Sequence, residues 1–222
     1  MKNIRKSISV ILALVAAFAL VGCAKENRLR PYVSELIENV YAGTSEHYTV
    51  RGKAGFYETE RARDGQAGAT APFLVLTLPQ TPDAETVTAT IEIDGQPHTE
   101  KFTYDPVRFT CRAVFETAFD EETFEIVLRK NGEEERVMMT SVLPENTLDL
   151  NGVLDVLLQS QPDLVESYMK NGVFEGELTA KVNVRDEKAY WYVAITDTAG
   201  RTHAFLMDGA SGEILAAKDL FQ

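Results

Sequence analysis

The sequence predicts a mainly β chain, an antiparallel β-sandwich followed by a small α+β domain. Three observations carry that prediction. Short apolar-alternating segments recur from residue 46 to residue 143, each bounded by turn residues. Apart from one short segment at 33–41, helical periodicity enters only after Pro144. Apolar residues make up 45% of the 222 residues and charged residues 25%, the balance of a folded chain and not of a disordered one.

The elements follow in order. Residues 24–30 are a polar tether. Val33, Leu36, Ile37, Val40 and Tyr41 then stand at helical spacing, although the segment is short enough to be a strand. Tyr48, Val50, Gly52, Ala54 and Phe56 alternate, and Phe73 to Leu78 is a continuous apolar run. Residues 87–93 and 98–104 flank Asp94-Gly95, and 123–129 and 135–142 flank Asn131-Gly132, two hairpin signals. Segment 108–116 places Phe109, Cys111, Ala113 and Phe115 on one face. About seven strands of this kind describe an immunoglobulin-like sandwich, without the cysteine–tryptophan–cysteine core of antibody domains. The polar, Gly-rich stretch Arg61 to Ala71 reads as a mobile loop.

Past Pro144, Leu150, Val153, Leu154, Leu157 and Leu158 form an apolar helical stripe. Pro162 starts a second short helix, for which Asn171-Gly172 is a stop signal. Strands are expected over 173–185, 189–196 and 202–207, then the turn Asp208 to Gly212, where Gly209 and Gly212 suit positive φ, and a last strand to Ala217. The division is therefore 1–22 leader, 23–45 tether and short element, 46–144 sandwich, 145–222 α+β domain.

The leader is read from charge and length. Lys2, Arg5 and Lys6 precede an uncharged apolar run from Ile8 to Val21, too short for a full span of ~20 residues. The order Leu20-Val21-Gly22-Cys23 resembles the lipobox of bacterial lipoproteins. That resemblance implies cleavage before Cys23, acylation of its sulfur with palmitate-like chains, and a lipid-anchored protein of the bacterial cell envelope. Cleavage removes three cations and no anion, so the net charge of −12 becomes −15. Such a body is repelled by nucleic acid and by anionic headgroups, so the acyl chains must supply the membrane contact. With Cys23 acylated, Cys111 has no disulfide partner and reads as an inert core residue.

In the last quarter, Ala189-Tyr190-Trp191-Tyr192-Val193-Ala194-Ile195-Thr196-Asp197 runs into Ala199-Gly200, and Ala204-Phe205-Leu206-Met207-Asp208 into Gly209-Ala210-Ser211-Gly212-Glu213. An aromatic strand, a Gly turn, a strand ending in Asp, and then Ser-Gly-Glu resemble a PepSY-type domain over residues 173–222. The resemblance implies a small α+β module of exported bacterial proteins that binds proteins or restrains peptidases. Strand 189–196 is apolar on both faces, which a sheet with one helical cover does not need. Tyr190, Trp191, Tyr192, Phe205 and Met207 are accordingly the candidate partner-binding residues, with packing against the rest of the chain as the alternative.

Catalytic patterns are missing from the sequence. His47, His98 and His203 are scattered, and no His-Glu-x-x-His, Cys-x-x-Cys, Gly-x-Ser-x-Gly or Gly-rich phosphate loop occurs. Glu121-Glu122 and Glu133-Glu134-Glu135 fall at turns and read as solvated charge. Asp208 and Glu213 lack the alternating oxygen ligands of a calcium loop. The expectation is a non-enzymatic protein- or peptide-binding module with no metal or cofactor, whose partner is an envelope protein or peptidase. Small-molecule or glycan binding by the sandwich loops, and a hydrolase with a fold-assembled carboxylate site, are the alternatives.

Overall fold

A computed structural model describes residues 27–60, 64–79 and 86–220. The leader and Cys23 lie outside them, as do residues 61–63 of the predicted loop. The chain is mainly β, with antiparallel pairing throughout except at one junction, and it carries a sandwich followed by a smaller α+β part. After a 3-10 turn (Arg30–Tyr32), the strands are β1 (Val33–Thr44), β2 (Thr49–Glu58), β3 (Thr70–Pro79), β4 (Thr88–Ile93), β5 (Gln96–Lys101), β6 (Thr103–Asp105), β7 (Thr110–Phe115), β8 (Thr123–Lys130) and β9 (Glu133–Ser141). The second part has α1 (Leu150–Ser160), α2 (Pro162–Ser167), the two-residue strands β10 (Met169–Lys170) and β11 (Val173–Phe174), and β12 (Glu177–Arg185), β13 (Lys188–Thr196), β14 (Thr202–Asp208) and β15 (Ile214–Leu220).

One path of paired strands runs β15-β14-β13-β12-β1-β2-β3-β7-β6. A second layer, β9-β8-β4-β5, joins it where β9 pairs with the end of β1. The sandwich core lies between these layers and holds Leu74, Leu76, Ile91, Phe102, Ile126, Leu128 and Met139, all at most 2% exposed. Cys111 and Ala113 join it, as alternation predicts. Phe109 does not: it sits at φ 53° in the turn before β7 and is 64% exposed.

The second core lies between the helices and β12–β14. Asp149 caps α1 by accepting from the Gly152 amide at 2.8 Å, and Val153, Leu154 and Leu157 face the sheet. Asn171-Gly172 does not stop a helix. With φ of 52° and 79°, it is the two-residue turn between β10 and β11. The same left-handed pair occurs at Asp94-Gly95 and Asn131-Gly132, where hairpins were expected.

β1 is the junction, and it is a strand. Its first half pairs in parallel with β12, and its length pairs antiparallel with β2. Register shifts fall between Val33 and Glu35 and between Ile37 and Asn39. Each shift resets the in–out alternation, because a bulge inserts an unpaired residue. Val33 and Leu36 therefore enter the helical core and Tyr41 the sandwich core, and helical spacing arises from a strand that serves two cores. The second shift also brings the Leu36 carbonyl against Gly55, where a Cβ would collide with it.

Candidate functional site

The resolved faces of β13 and β14 divide the five predicted partner-binding residues. Trp191, Phe205 and Met207 point into the helical core, each at most 4% exposed. The Trp191 indole donates from Nε1 to the Leu148 carbonyl at 3.0 Å, tying the segment before α1 to the sheet. These three are covered by the chain's own helices, so a partner cannot reach them. Tyr190 and Tyr192 occupy the opposite face and are half-buried. The 64–69 loop reaches the turn that follows β13, where Gly65 lies against the Asp197–Thr198 backbone. Thr70 and Ala71, read as loop, belong to β3.

That opposite face continues across β12, β1, β2, β3 and β7 as a cleft of about 910 Å³. Alternation on β2 puts Arg51, Lys53 and Tyr57 on it and buries Val50 and Ala54 beneath. The floor is apolar where Ile37, Phe73, Val75 and Val114 line up across the strands. Around the floor stand five cations, Arg51, Lys53, Arg108, Arg112 and Lys181. Among the described residues three carboxylates share the lining, Glu35, Glu58 and Glu177. A cationic excess on a chain of net charge −12 is a local inversion of the global field.

Pairing leaves much of this charge uncompensated. Lys181 meets Glu35 at 2.6 Å. Arg108 and Arg112 share the single carboxylate of Asp105, at 2.8 and 3.5 Å. Among the described residues Lys53 donates to a neutral acceptor, Asn183 Oδ1, at 3.3 Å. Arg51 forms no salt bridge among the described residues. Burial lowers the pKa of the Lys53 ammonium, and the charges of Lys181, Arg108, Arg112 and Arg51 lower it further. The Thr110 hydroxyl, also on the lining, is buried without a hydrogen-bond partner.

The far end of the cleft has the other polarity. Glu58 is 6% exposed; one carboxylate oxygen accepts from the Gly68 amide and the other is buried without a partner. Glu177 is 2% exposed. Tyr57 and Phe73 pack here with ring centroids 5.4 Å apart. The cation cluster left no motif to read, because β2, β7, the β6–β7 turn and β12 supply it from positions up to 130 residues apart.

The other sequence candidates are dispersed. Glu121, Glu122, Glu133 and Glu134 are exposed. Glu135 accepts from the His47 amide at 3.0 Å, and His203 lies 2.6 Å from Asp219. The Asp208 carboxylate accepts from the Ser211 and Ala210 amides and from the Ser211 hydroxyl, which holds its pKa below the usual carboxylate range. Gly212 takes φ 75° there, whereas Gly209 is required because a Cβ would strike Ala189. Among the described residues no cluster of three His, Cys, Asp or Glu could hold a metal ion, and no helix is long and apolar enough to cross a membrane. Comparison with protein-family models, curated proteins and solved structures gives no match.

Proposed function

We propose that this chain is a bacterial cell-envelope lipoprotein, anchored through acylated Cys23, whose body binds a protein or peptide without catalysing a reaction on it. The observation that carries the binding reading is the cleft on the open face of β12-β1-β2-β3-β7, which combines an apolar floor with five cations against three carboxylates. A face of this composition has no structural need for so many like charges, since crowding them costs stability. Two helices ahead of an antiparallel sheet, in the order a PepSY-type module has, support the resemblance of the last quarter. An envelope peptidase is the partner class that resemblance brings with it.

Two experiments test this. Mass spectrometry of the membrane-extracted protein reads the anchor: an N-terminal peptide beginning at Cys23 with added acyl mass is expected, and its persistence as an unmodified Met1 peptide would remove the lipoprotein reading. Cross-linking of the full chain in its own membrane, followed by rebinding of the purified candidate, reads the partner. Truncation at Pro144 is a poor alternative, because it strips β1 of its parallel neighbour β12. If the folded chain rebinds no purified envelope protein, the protein-binding reading fails. A second reading has one observation of its own: the Tyr57–Phe73 pair beside the 64–69 loop is an aromatic platform of the kind a glycan would stack on.

A further inference from the structure

The occupant of the cleft can be named by its chemistry. Arg51 and Lys53 stand two residues apart on β2 and share a face, which sets their Cα atoms about 7 Å apart at ~3.3 Å per residue. Thr77 separates Arg51 from Arg112 in the cross-strand register, so those two guanidiniums rise from positions about 10 Å apart, two interstrand steps. Lys53 shares its row with Val75 and Val114, and the next row, that of Gly55, reaches Phe73. Along β2 the surface thus changes from cationic to apolar over a few residues. An extended peptide repeats its side chains on one face at the same spacing of about 7 Å.

We infer that the cleft receives an extended acidic segment of another protein, with carboxylates at alternate positions over the Arg51–Arg112 row and over Lys53, whose row also offers Val75 and Val114, and with apolar side chains over the Phe73 row beyond. This deepens the protein-binding reading above and rests on it. The flat apolar floor favours a peptide over a bare phosphate, which would want a concave nest of amides instead. Charge complementarity supplies the selection. An acidic segment relieves the repulsion among the five cations, whereas a basic segment adds to it. Much of the remaining surface of this acidic chain repels such a segment, which guides it to this face of opposite sign.

The test uses the full chain in detergent and a rhodamine-labelled peptide, acetyl-Glu-Thr-Glu-Thr-Val-Thr-Val-amide, read by fluorescence anisotropy. Saturable binding is expected, weakened at least tenfold between low and high salt. Arg51→Ser and Arg112→Ser should each weaken it about tenfold, while Arg136→Ser, an exposed guanidinium on β9, should leave it unchanged. Circular dichroism confirms that the surface variants remain folded. Equal binding of the peptide with Gln for Glu would overturn the inference, as would indifference to both cleft variants or no binding at all. Tighter binding of tripolyphosphate than of the peptide would overturn it in favour of a phosphate ligand. The two readings fail separately. If the cross-linked partner binds the Arg51→Ser/Arg112→Ser chain as well as the unaltered one, protein binding stands and the acidic-segment assignment falls.

Discussion

Replacing Trp191 by Phe tests which face of β13 is core. The indole is 1% exposed, and its Nε1 supplies a hydrogen bond to the Leu148 carbonyl at 3.0 Å. A phenyl ring lacks that donor and leaves the space of the second ring. Stranding a buried acceptor costs ~1–3 kcal/mol, and the lost packing adds about 1–2 kcal/mol at ~0.8 kcal/mol per buried methylene equivalent. The total, about 2–5 kcal/mol, is a large part of a domain's stability of ~5–15 kcal/mol. It corresponds to a fall in Tm of roughly 4–20 °C at ~2–4 °C per kcal/mol. Tyr192→Phe, one residue on and on the half-buried face, removes only a hydroxyl and should cost under about 1 kcal/mol. Urea unfolding of both variants, followed by tryptophan-independent circular dichroism, gives the comparison. Equal losses for the two would refute the assignment of Trp191 to the helical core and reopen that face to a partner.

Other consequences are read the same way. Gly55→Ala drives a methyl group into the Leu36 carbonyl, so the β1–β2 register must shift, and a loss of ~1–3 kcal/mol or more is expected by thermal unfolding. Asp197 is held below the usual carboxylate pKa: burial pushes it up, but the Arg201 amide and guanidinium and the Ala199 amide outweigh that. Its stabilisation is present above the unfolded-state pKa and is lost as pH falls through the folded one, so Asp197→Asn should flatten the acid limb of the stability–pH curve. Lys53 has the opposite case, a lowered ammonium pKa. The unfolded chain binds more protons between that value and 10.5, so stability rises with pH in this window. Lys53→Met should remove that rise and stabilise the protein near neutral pH, more at low salt than at high, as denaturant titrations at two ionic strengths would read.

Much of the architecture is visible in the chain itself, and its failures have local causes. Strands β4, β7 and β9 alternate because each has one wetter face and one dry face, whereas β3 is buried on both faces over Phe73–Leu76 and β5 is exposed throughout. The turn pairs Asp94-Gly95 and Asn131-Gly132 adopt the left-handed conformation that their composition favours. The turn between β12 and β13 uses Asp186 and Glu187, at φ 51° and 60°, and without glycine it carries no such signal. β1 misleads in another way. A regular strand would show a period of two, but two register shifts and two cores write a spacing near 3.6. Asn171-Gly172 is ambiguous for a related reason, since the same left-handed pair closes a helix or a hairpin, and only the pairing of Met169 with Phe174 decides.

The site was hidden for a deeper reason than any of these. A double-faced apolar strand drew attention to Trp191, Phe205 and Met207, yet hydrophobicity on both faces reports burial before it reports binding, and the helices bury them. The surface that stands out is defined by charge, and charge is additive only in space. Arg51, Arg112 and Lys181 each look like an ordinary surface cation on its own strand. The parallel pairing of β1 with β12 is what draws Lys181 into the row of β2, and the β2-β3-β7 order is what sets Arg112 across from Arg51. A strand that joins two cores therefore does more than connect them. By continuing one sheet through both parts, it makes a single face long enough for an extended segment, and it gathers on that face a sign of charge that the chain as a whole lacks.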